Sequence, residues 1–393
     1  MRIALDAMGG DRAPQVVVAG AAAAAREGVE VLLVGDEAQV RAELARLGAD
    51  LPVWHAPDHI RMEEAATEVR RRPQASVRVA MELLKRGEVQ AVVSMGHSGA
   101  TLAAALLVLG RVKGVERPAL LVEFPSLRGR TFLLDGGANA DCRPSFLVQF
   151  AAMGLAYAEA SGALAPRVGL LSIGEEEGKG NALVQEAYPL LRAALGERFY
   201  GNVEGRDIFL GTTEVVVTDG FTGNVALKLA EGEARVLLTW IKEALTSSFR
   251  ARLGALLVRE ALARVKARVD PAQYGAMPLL GVEGAVFIGH GSADALAVKT
   301  PSCGPRPWWR RASSRGCGRG FPPYTSRMTW AFQRSSSLRT ERPWKVALFT
   351  SPWKPRPSWK GSPKRVAMRR YPPSSSSTRM RALPGTKPLV WIR

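Results

Sequence analysis

The sequence predicts an α/β protein, a three-layer α/β/α sandwich on a mostly parallel sheet. Two observations carry this. Short apolar runs alternate with longer helical stretches from Arg2 to Ile288, the pattern of strands connected through helices that cover both faces of a sheet. Strand after strand then runs into a polar, glycine-containing tip, and sheets of this class bind ligands beyond the carboxyl ends of their strands.

The expected strands are Arg2–Asp6, Glu30–Val34, Val89–Met95, Ala119–Phe124, Thr131–Asp135, Arg167–Ile173, Thr213–Thr218 and Ala285–Ile288. The expected helices between them are Pro14–Glu27, Glu37–Leu47, Gln74–Arg86, Thr101–Leu109, Ser145–Ala160 and Ala182–Leu195. The clearest single unit starts at Thr213. Val215, Val216 and Val217 read as a strand buried on both faces. Gly220 and Gly223 then permit a tight turn and a close ligand approach, and the helix that follows offers free N–H groups to an anion.

The same device recurs. Strand ends lead into Asp6-Ala-Met-Gly-Gly-Asp11, Met95-Gly-His97-Ser98-Gly99, Asp135-Gly-Gly-Ala-Asn139, Ser172 to Asn181, Asp219 to Asn224, and Gly289-His290-Gly-Ser292. One such tip is ordinary turn chemistry. Six together predict one polar cleft lined by backbone amides and short side chains.

Two regions stand apart. Thr222–Phe249 and Leu253–Val269 read as two helices with a break near Thr246–Ser248 or Gly254. The first has an apolar face through Leu227, Val236, Leu237, Trp240, Ile241, Ala244 and Leu245. The second carries Leu253, Leu256, Leu257, Leu262 and Val265 among arginines. Residues 222–269 are either a helical pair packed on the body or a projecting hairpin that dimerises and lays an apolar, Arg-rimmed tip on anionic lipid.

The other region is the tail. Residues 301–393 hold 21 Lys/Arg and one acidic residue, Glu341, so residues 1–300 carry a net charge of only −2. The tail is rich in Pro, Ser, Arg and Trp, lacks apolar periodicity and is expected to be disordered. The pattern of the body stops inside a helix near Lys299. That abrupt switch favours a shifted frame of GC-rich coding DNA over a basic, aromatic-studded arm, so no nucleic-acid partner is expected.

Composition and motifs exclude several chemistries. Cys142 is the sole cysteine of the body, the N-terminus has no signal-peptide pattern, and a cytoplasmic location follows. The four histidines and the cysteines have no zinc spacing, so no metal and no cofactor are expected. Neither a Gly-x-Ser-x-Gly elbow nor a dinucleotide fingerprint is present, which argues against a serine hydrolase and a nicotinamide dehydrogenase. Cys142 reads as a buried structural thiol. His55, His59, Glu63 and Glu64 either line the cleft or form a surface loop. An enzyme without a covalent nucleophile is expected, one that holds an oxyanion against a second substrate.

These tips, together with Phe199-Tyr-Gly-Asn202-Val-Glu-Gly205, resemble the bacterial phosphate acyltransferase family in family order over nearly all of residues 1–300. The resemblance implies transfer of a fatty acyl group from acyl carrier protein to inorganic phosphate, giving acyl phosphate for phospholipid synthesis. It also implies a fold like isopropylmalate dehydrogenases and phosphate acetyltransferases, a homodimer, and peripheral membrane attachment through the hairpin. Inorganic phosphate can attack a thioester itself, so no Ser or Cys nucleophile is needed. Lys179, Asn181 and the segment Gly220, Gly223, Asn224 are expected to hold phosphate. His97 and Ser98 are candidates for proton handling or the oxyanion. Asp6, Asp11, Asn139 and Asp219 are expected to organise the cleft, with His290 nearby. The family continues past Ser292 with a further helix, which here gives way after Lys299. A phosphotransacetylase-like enzyme using a coenzyme A thioester is the nearest rival, and a nucleic-acid binder acting through the tail is the rival of another class.

Overall fold

The computed structural model describes residues 2–269, 276–291 and 293–303, so the expected tail from residue 304 onward and Ser292 lie outside the described residues. The strands are β1 (Arg2–Asp6), β2 (Glu30–Gly35), β3 (Val53–His55), β4 (Ala91–Ser94), β5 (Ala119–Leu120), β6 (Val122–Ser126), β7 (Gly129–Leu134), β8 (Val168–Leu171), β9 (Phe199–Val203), β10 (Val215–Val217), β11 (Met277–Leu280) and β12 (Val286–Ile288). The α-helices are α1 (Gln15–Arg26), α2 (Glu37–Arg46), α3 (Ser76–Lys85), α4 (Ser98–Val108), α5 (Pro144–Ala160), α6 (Ala182–Leu195), α7 (Gly205–Leu210), α8 (Gly220–Thr246), α9 (Phe249–Leu257), α10 (Arg259–Val269) and α11 (Ala295–Cys303).

The strands form two sheets rather than one. The first runs β3-β2-β1-β4-β12-β11-β5 and the second β6-β7-β10-β8-β9. Both are mainly parallel; β11 runs antiparallel to its neighbours β12 and β5, and β6 antiparallel to β7. The division falls inside the apolar run expected as one strand, Ala119–Phe124. Leu121 donates its N–H to Pro278 O at 3.0 Å. Ala119 and Leu120 therefore pair with β11, while Val122 onward pairs with β7.

Each sheet is buried on both faces by alternation along its strands. Ile3, Leu5, Ala91 and Val93 face the core that contains Val17, Val18, Ala21 and Val40 of α1 and α2. Ala4 and Val92 face the opposite core, with Met81 and Leu83 of α3 and Ala100 and Ala104 of α4. In the second sheet Val215 and Val217 pack with Phe146, Phe150 and Leu191, whereas Val216 packs with Ile208 and Leu227. This is the layered helix–sheet–helix arrangement that the alternation predicts.

The last described helix belongs to this body. Val298 of α11 is fully buried in the core shared with α1, and Lys299 pairs with Glu27 just after that helix. The long helical region behaves otherwise. After Leu227 most large apolar side chains of α8, α9 and α10 are exposed, including Trp240 and Leu257. The first break falls at Ser247 and Ser248, where Ser248 Oγ caps α9 by accepting from Ala251 N–H at 3.1 Å, and a second falls at Val258.

The first sheet is tied together by one carboxylate. Asp6 is buried at the end of β1, where Oδ1 accepts from Ser76 Oγ of α3 at 2.6 Å and Oδ2 from Ser94 Oγ of β4 at 2.7 Å. Gly9 has no room for a side chain, because a Cβ would stand 2.7 Å from both Asp6 Oδ2 and Gly96 N. Burial pushes the Asp6 pKa above its ordinary value of 3.8, against the pull of the two hydroxyls. Between those two pH values the folded chain keeps a proton that the unfolded chain has released, so acidification through that window stabilises the fold. Asp6→Asn keeps the shape and lacks the titration. Urea denaturation from neutral to mildly acidic pH should show the natural chain gaining on the Asn variant by at most about 1.4 kcal/mol per pH unit. Parallel pH profiles of the two would contradict the buried, proton-retaining carboxyl.

Candidate active site

The expected tips sort by sheet. Because β1, β4 and β12 are parallel neighbours, the Asp6–Asp11, Met95–Ser98 and Gly289–Gly291 tips lie side by side at one carboxyl edge. Asp11 donates its N–H to Gly291 O at 2.9 Å, which joins the first and last of these directly. The Asp11 and His290 side chains are exposed there. Because β7, β10 and β8 are parallel neighbours, the tips after Leu134, Val217 and Leu171 form a second row, with Asp219 in its middle. The six tips thus make two rows of three rather than one ring.

The seam between the sheets is held by Asp135, fully buried at the end of β7. Its Oδ1 accepts from the N–H groups of Leu120, Gly137 and Ala138 at 2.9, 3.1 and 3.0 Å. Its Oδ2 accepts from Asn139 N–H and Asn139 Nδ2 at 2.7 and 2.8 Å. Leu120 belongs to the first sheet, so one carboxylate spans both. Burial raises the Asp135 pKa, and the surrounding N–H donors pull it down. Asn139 also donates to Pro118 O at 2.7 Å and accepts from Gly220 N–H at 2.8 Å. Both N–H groups of its side-chain amide are spent on this junction.

Gly220 and Gly223 do not form a turn before the helix. They lie inside the first turn of α8, capped by Asp219, which accepts from Thr222 N–H and Thr222 Oγ1 at 2.8 Å each. Their reason for being glycine is contact with the seam. A Cβ on Gly220 would meet Asn139 O and Asp135 Oδ2, and one on Gly223 would meet Asp135 O. This close packing also brings Asn224 Nδ2 to Gly136 O at 3.3 Å. Asp135 stands in the Asp135–Asn139 motif, but sequence reasoning does not single it out as a functional residue. The available signal was its likeness to Asp6, an aspartate at a strand end just before two glycines.

On the neighbouring tip Lys179 is exposed and its aliphatic stem covers Gly174, whose Cβ would stand 3.0 Å from Lys179 Cγ. Among the described residues its ammonium has no ion pair, although Glu175 and Glu177 are engaged by Arg206 and Arg192. Asn181 caps α6, its Oδ1 accepting from Val184 N–H at 3.0 Å, which leaves its amide N–H₂ available. Gln185 ties the tip down through Gly178 O and Gly180 O at 3.2 and 3.0 Å.

In the first row a small recess is lined by Asp6, Gly9, His59, Gly96, His97 and Thr101. His97 caps α4, with Nδ1 accepting from Ala100 N–H at 3.2 Å. The ring proton of the neutral imidazole therefore sits on Nε2, and His97 presents a donor. Ser98 opens the helix beside it and is exposed. Ala138 of the seam packs against the core that holds Ala100 and Ala104, so the Asp135 tip reaches toward α4. Burial pushes the Cys142 thiol up to about 12, with nearby carboxylates adding to the effect, which suits a structural group rather than a nucleophile. Among the described residues no group of three or more His, Cys, Asp or Glu is placed to hold a metal.

The pattern of the family described as "Fatty acid synthesis protein" matches residues 1–301. The phosphate acyltransferase of Geobacter sulfurreducens is 50% identical over 305 residues, 76% of this chain and 88% of that protein. That of Deinococcus radiodurans is 56% identical over 277 residues, 69% of this chain and 77% of that protein. Among solved structures, a phosphotransacetylase from Streptococcus pyogenes shares the fold at a TM-score of 0.50 and 18% identity, over 77% of this chain and 92% of that one. That likeness concerns the fold alone. The sequence matches concern descent, and by them this chain belongs to the phosphate acyltransferase family.

Proposed function

We propose that this chain is a cytoplasmic enzyme that moves a fatty acyl group from acyl carrier protein to inorganic phosphate. The product is an acyl phosphate for phospholipid synthesis. One observation supports the reading above the others. Lys179, with no carboxylate partner among the described residues, stands one strand away from the first turn of α8, where Asn224 is exposed. Phosphate would lie between them, held by Lys179, the Asn181 amide and the start of α8 around Gly220, Gly223 and Asn224. A helix N-terminus and an ammonium together suit a dianion.

The chemistry is direct displacement. A phosphate oxygen attacks the thioester carbonyl, and His97 Nε2–H with the Ser98 N–H or hydroxyl faces the oxyanion that forms. Asp6, Asn139 and Asp219 act as organisers, since the two carboxylates and the Asn139 amide N–H₂ are engaged within the protein. Asp11 and His290 would border the entrance. Lys179→Ala should lower acyl phosphate formation roughly tenfold or more, the scale of losing one transition-state donor. The measurement is mass spectrometry of acyl phosphate after mixing protein, phosphate and palmitoyl carrier protein, with palmitoyl coenzyme A in a parallel arm. An unchanged rate in the variant removes Lys179 from the site. Preference for coenzyme A would instead favour the phosphotransacetylase-like reading.

The same proposal gives α8, α9 and α10 a homodimer contact and a peripheral membrane contact. The supporting feature is apolar exposure: Trp240 is 61% exposed, Leu256 68% and Leu257 83%. Arg250, Arg252, Arg259 and Arg264 are interspersed with them along α9 and α10. Such a surface matches an anionic bilayer through buried apolar area and basic charge. No described helix is long and apolar enough to cross a membrane. Changing Leu256 and Leu257 to Asp should abolish sedimentation with anionic vesicles; undiminished sedimentation would count against the membrane contact.

A further inference from the structure

We propose that His59 is a second imidazole of the acyl-transfer site, the group that protonates the departing sulfur. The assignment rests on the acyl-transfer reading above and goes beyond it by naming the proton donor. Its starting point is that His97 is not free for this task. While Nδ1 of His97 caps α4, that nitrogen carries no proton and accepts none, so His97 offers one fixed donor at Nε2. A leaving thiolate needs a group that gives up a proton and recovers it, and imidazole does so near neutral pH.

His59 lines the same recess as His97 and Asp6. It lies near enough to Asp6 for its charge to act on that buried carboxylate. Its backbone is pinned on both sides. The His59 N–H donates to Asp58 Oδ1 at 2.8 Å, and its carbonyl accepts from Arg72 Nη1 at 3.0 Å. Arg72 is itself fixed by Glu64 at 3.1 and 2.9 Å. Asp58 O accepts from Ser76 N–H at 2.8 Å, which couples this segment to the start of α3, the same residue whose hydroxyl holds Asp6. Ile60, the next residue, is buried. Both hydrogen bonds that His59 makes to the described residues use its backbone, and its imidazole ring makes none to them. A held backbone with an unengaged ring, at a recess it shares with His97, is the arrangement of a group waiting for a substrate.

The step balances as follows. An oxygen of hydrogen phosphate forms a bond to the thioester carbon, and the carbon–sulfur bond breaks with its electron pair leaving on sulfur. The His59 imidazolium gives that sulfur a proton. The hydroxyl proton of the attached phosphate, acidified as the acyl phosphate forms, returns to the imidazole directly or through water. The net change is thioester and hydrogen phosphate to acyl phosphate and thiol, with no proton gained or lost.

Steady-state assays with palmitoyl carrier protein and phosphate test this. His59→Ala should lose about a hundredfold in kcat, within the range for a general acid, while the KM for phosphate changes little. Added imidazole should restore the rate, and a series of substituted imidazoles should restore it in proportion to their acidity. His59→Gln keeps a donor of similar reach that cannot release a proton, and should stay slow. Full activity in either variant overturns the assignment. So does a loss that imidazole fails to restore or a loss confined to KM, since either places His59 in packing or binding alone. If the unaltered chain itself forms no acyl phosphate, the functional reading falls and takes this assignment with it. If the unaltered chain is active and the variants equal it, only the role of His59 falls.

Discussion

The carboxylate of Asp135 is the constraint on which the site depends. It is removed from water at the join between two sheets and is surrounded by N–H donors from Leu120, Gly137, Ala138 and Asn139. A buried charge with its partners removed is destabilising by several kcal/mol, so those backbone groups are held where they are. Three consequences follow from that one anchor. The Gly136–Asn139 segment cannot drift, α8 must begin hard against it, and only glycine fits at positions 220 and 223. Asn224 inherits its place from that packing.

The molecule uses the device twice. Asp6 does for the first sheet what Asp135 does for the seam, joining β1, α3 and β4 through two serine hydroxyls. In both cases the aspartate ends a strand, is buried, and precedes a pair of glycines that let another backbone approach. Asp6 and Asp135 thus serve as internal fasteners, while Lys179 and the Asn181 amide in the second row and His97 Nε2–H in the first are donors left available. In the proposed mechanism these donors meet a phosphate and a developing oxyanion.

Much of the fold was legible because its signals are local. The β-branched run Val215–Val217 and the apolar segments Arg2–Asp6 and Glu30–Val34 correspond closely to strands, and α6 has the bounds expected of it. What escaped was short or non-local. β3 and β9 carry charged or polar residues such as His55 and Asn202, and β11 begins with Met277-Pro278, so periodicity alone does not mark them. The break at Leu121 depends on a hydrogen bond to Pro278, over 150 positions away, and no local pattern encodes it. The same distinction applies to the site. Residue types at strand ends were readable, whereas the allocation of Asn139 to the seam, of Asn181 to a helix cap and of His59 to the recess needed three dimensions.

The central claim is that the seam presents one anion-binding mouth at the start of α8, facing the Lys179 tip. The most direct measurement is a crystal soaked in arsenate, a tetrahedral stand-in for phosphate whose anomalous scattering marks its position. The account predicts an arsenic peak bridging Lys179 Nζ and the first turn of α8 at Asn224, with its oxygens within hydrogen-bond distance of both. A well-occupied peak elsewhere on the chain, with that mouth empty, would contradict it.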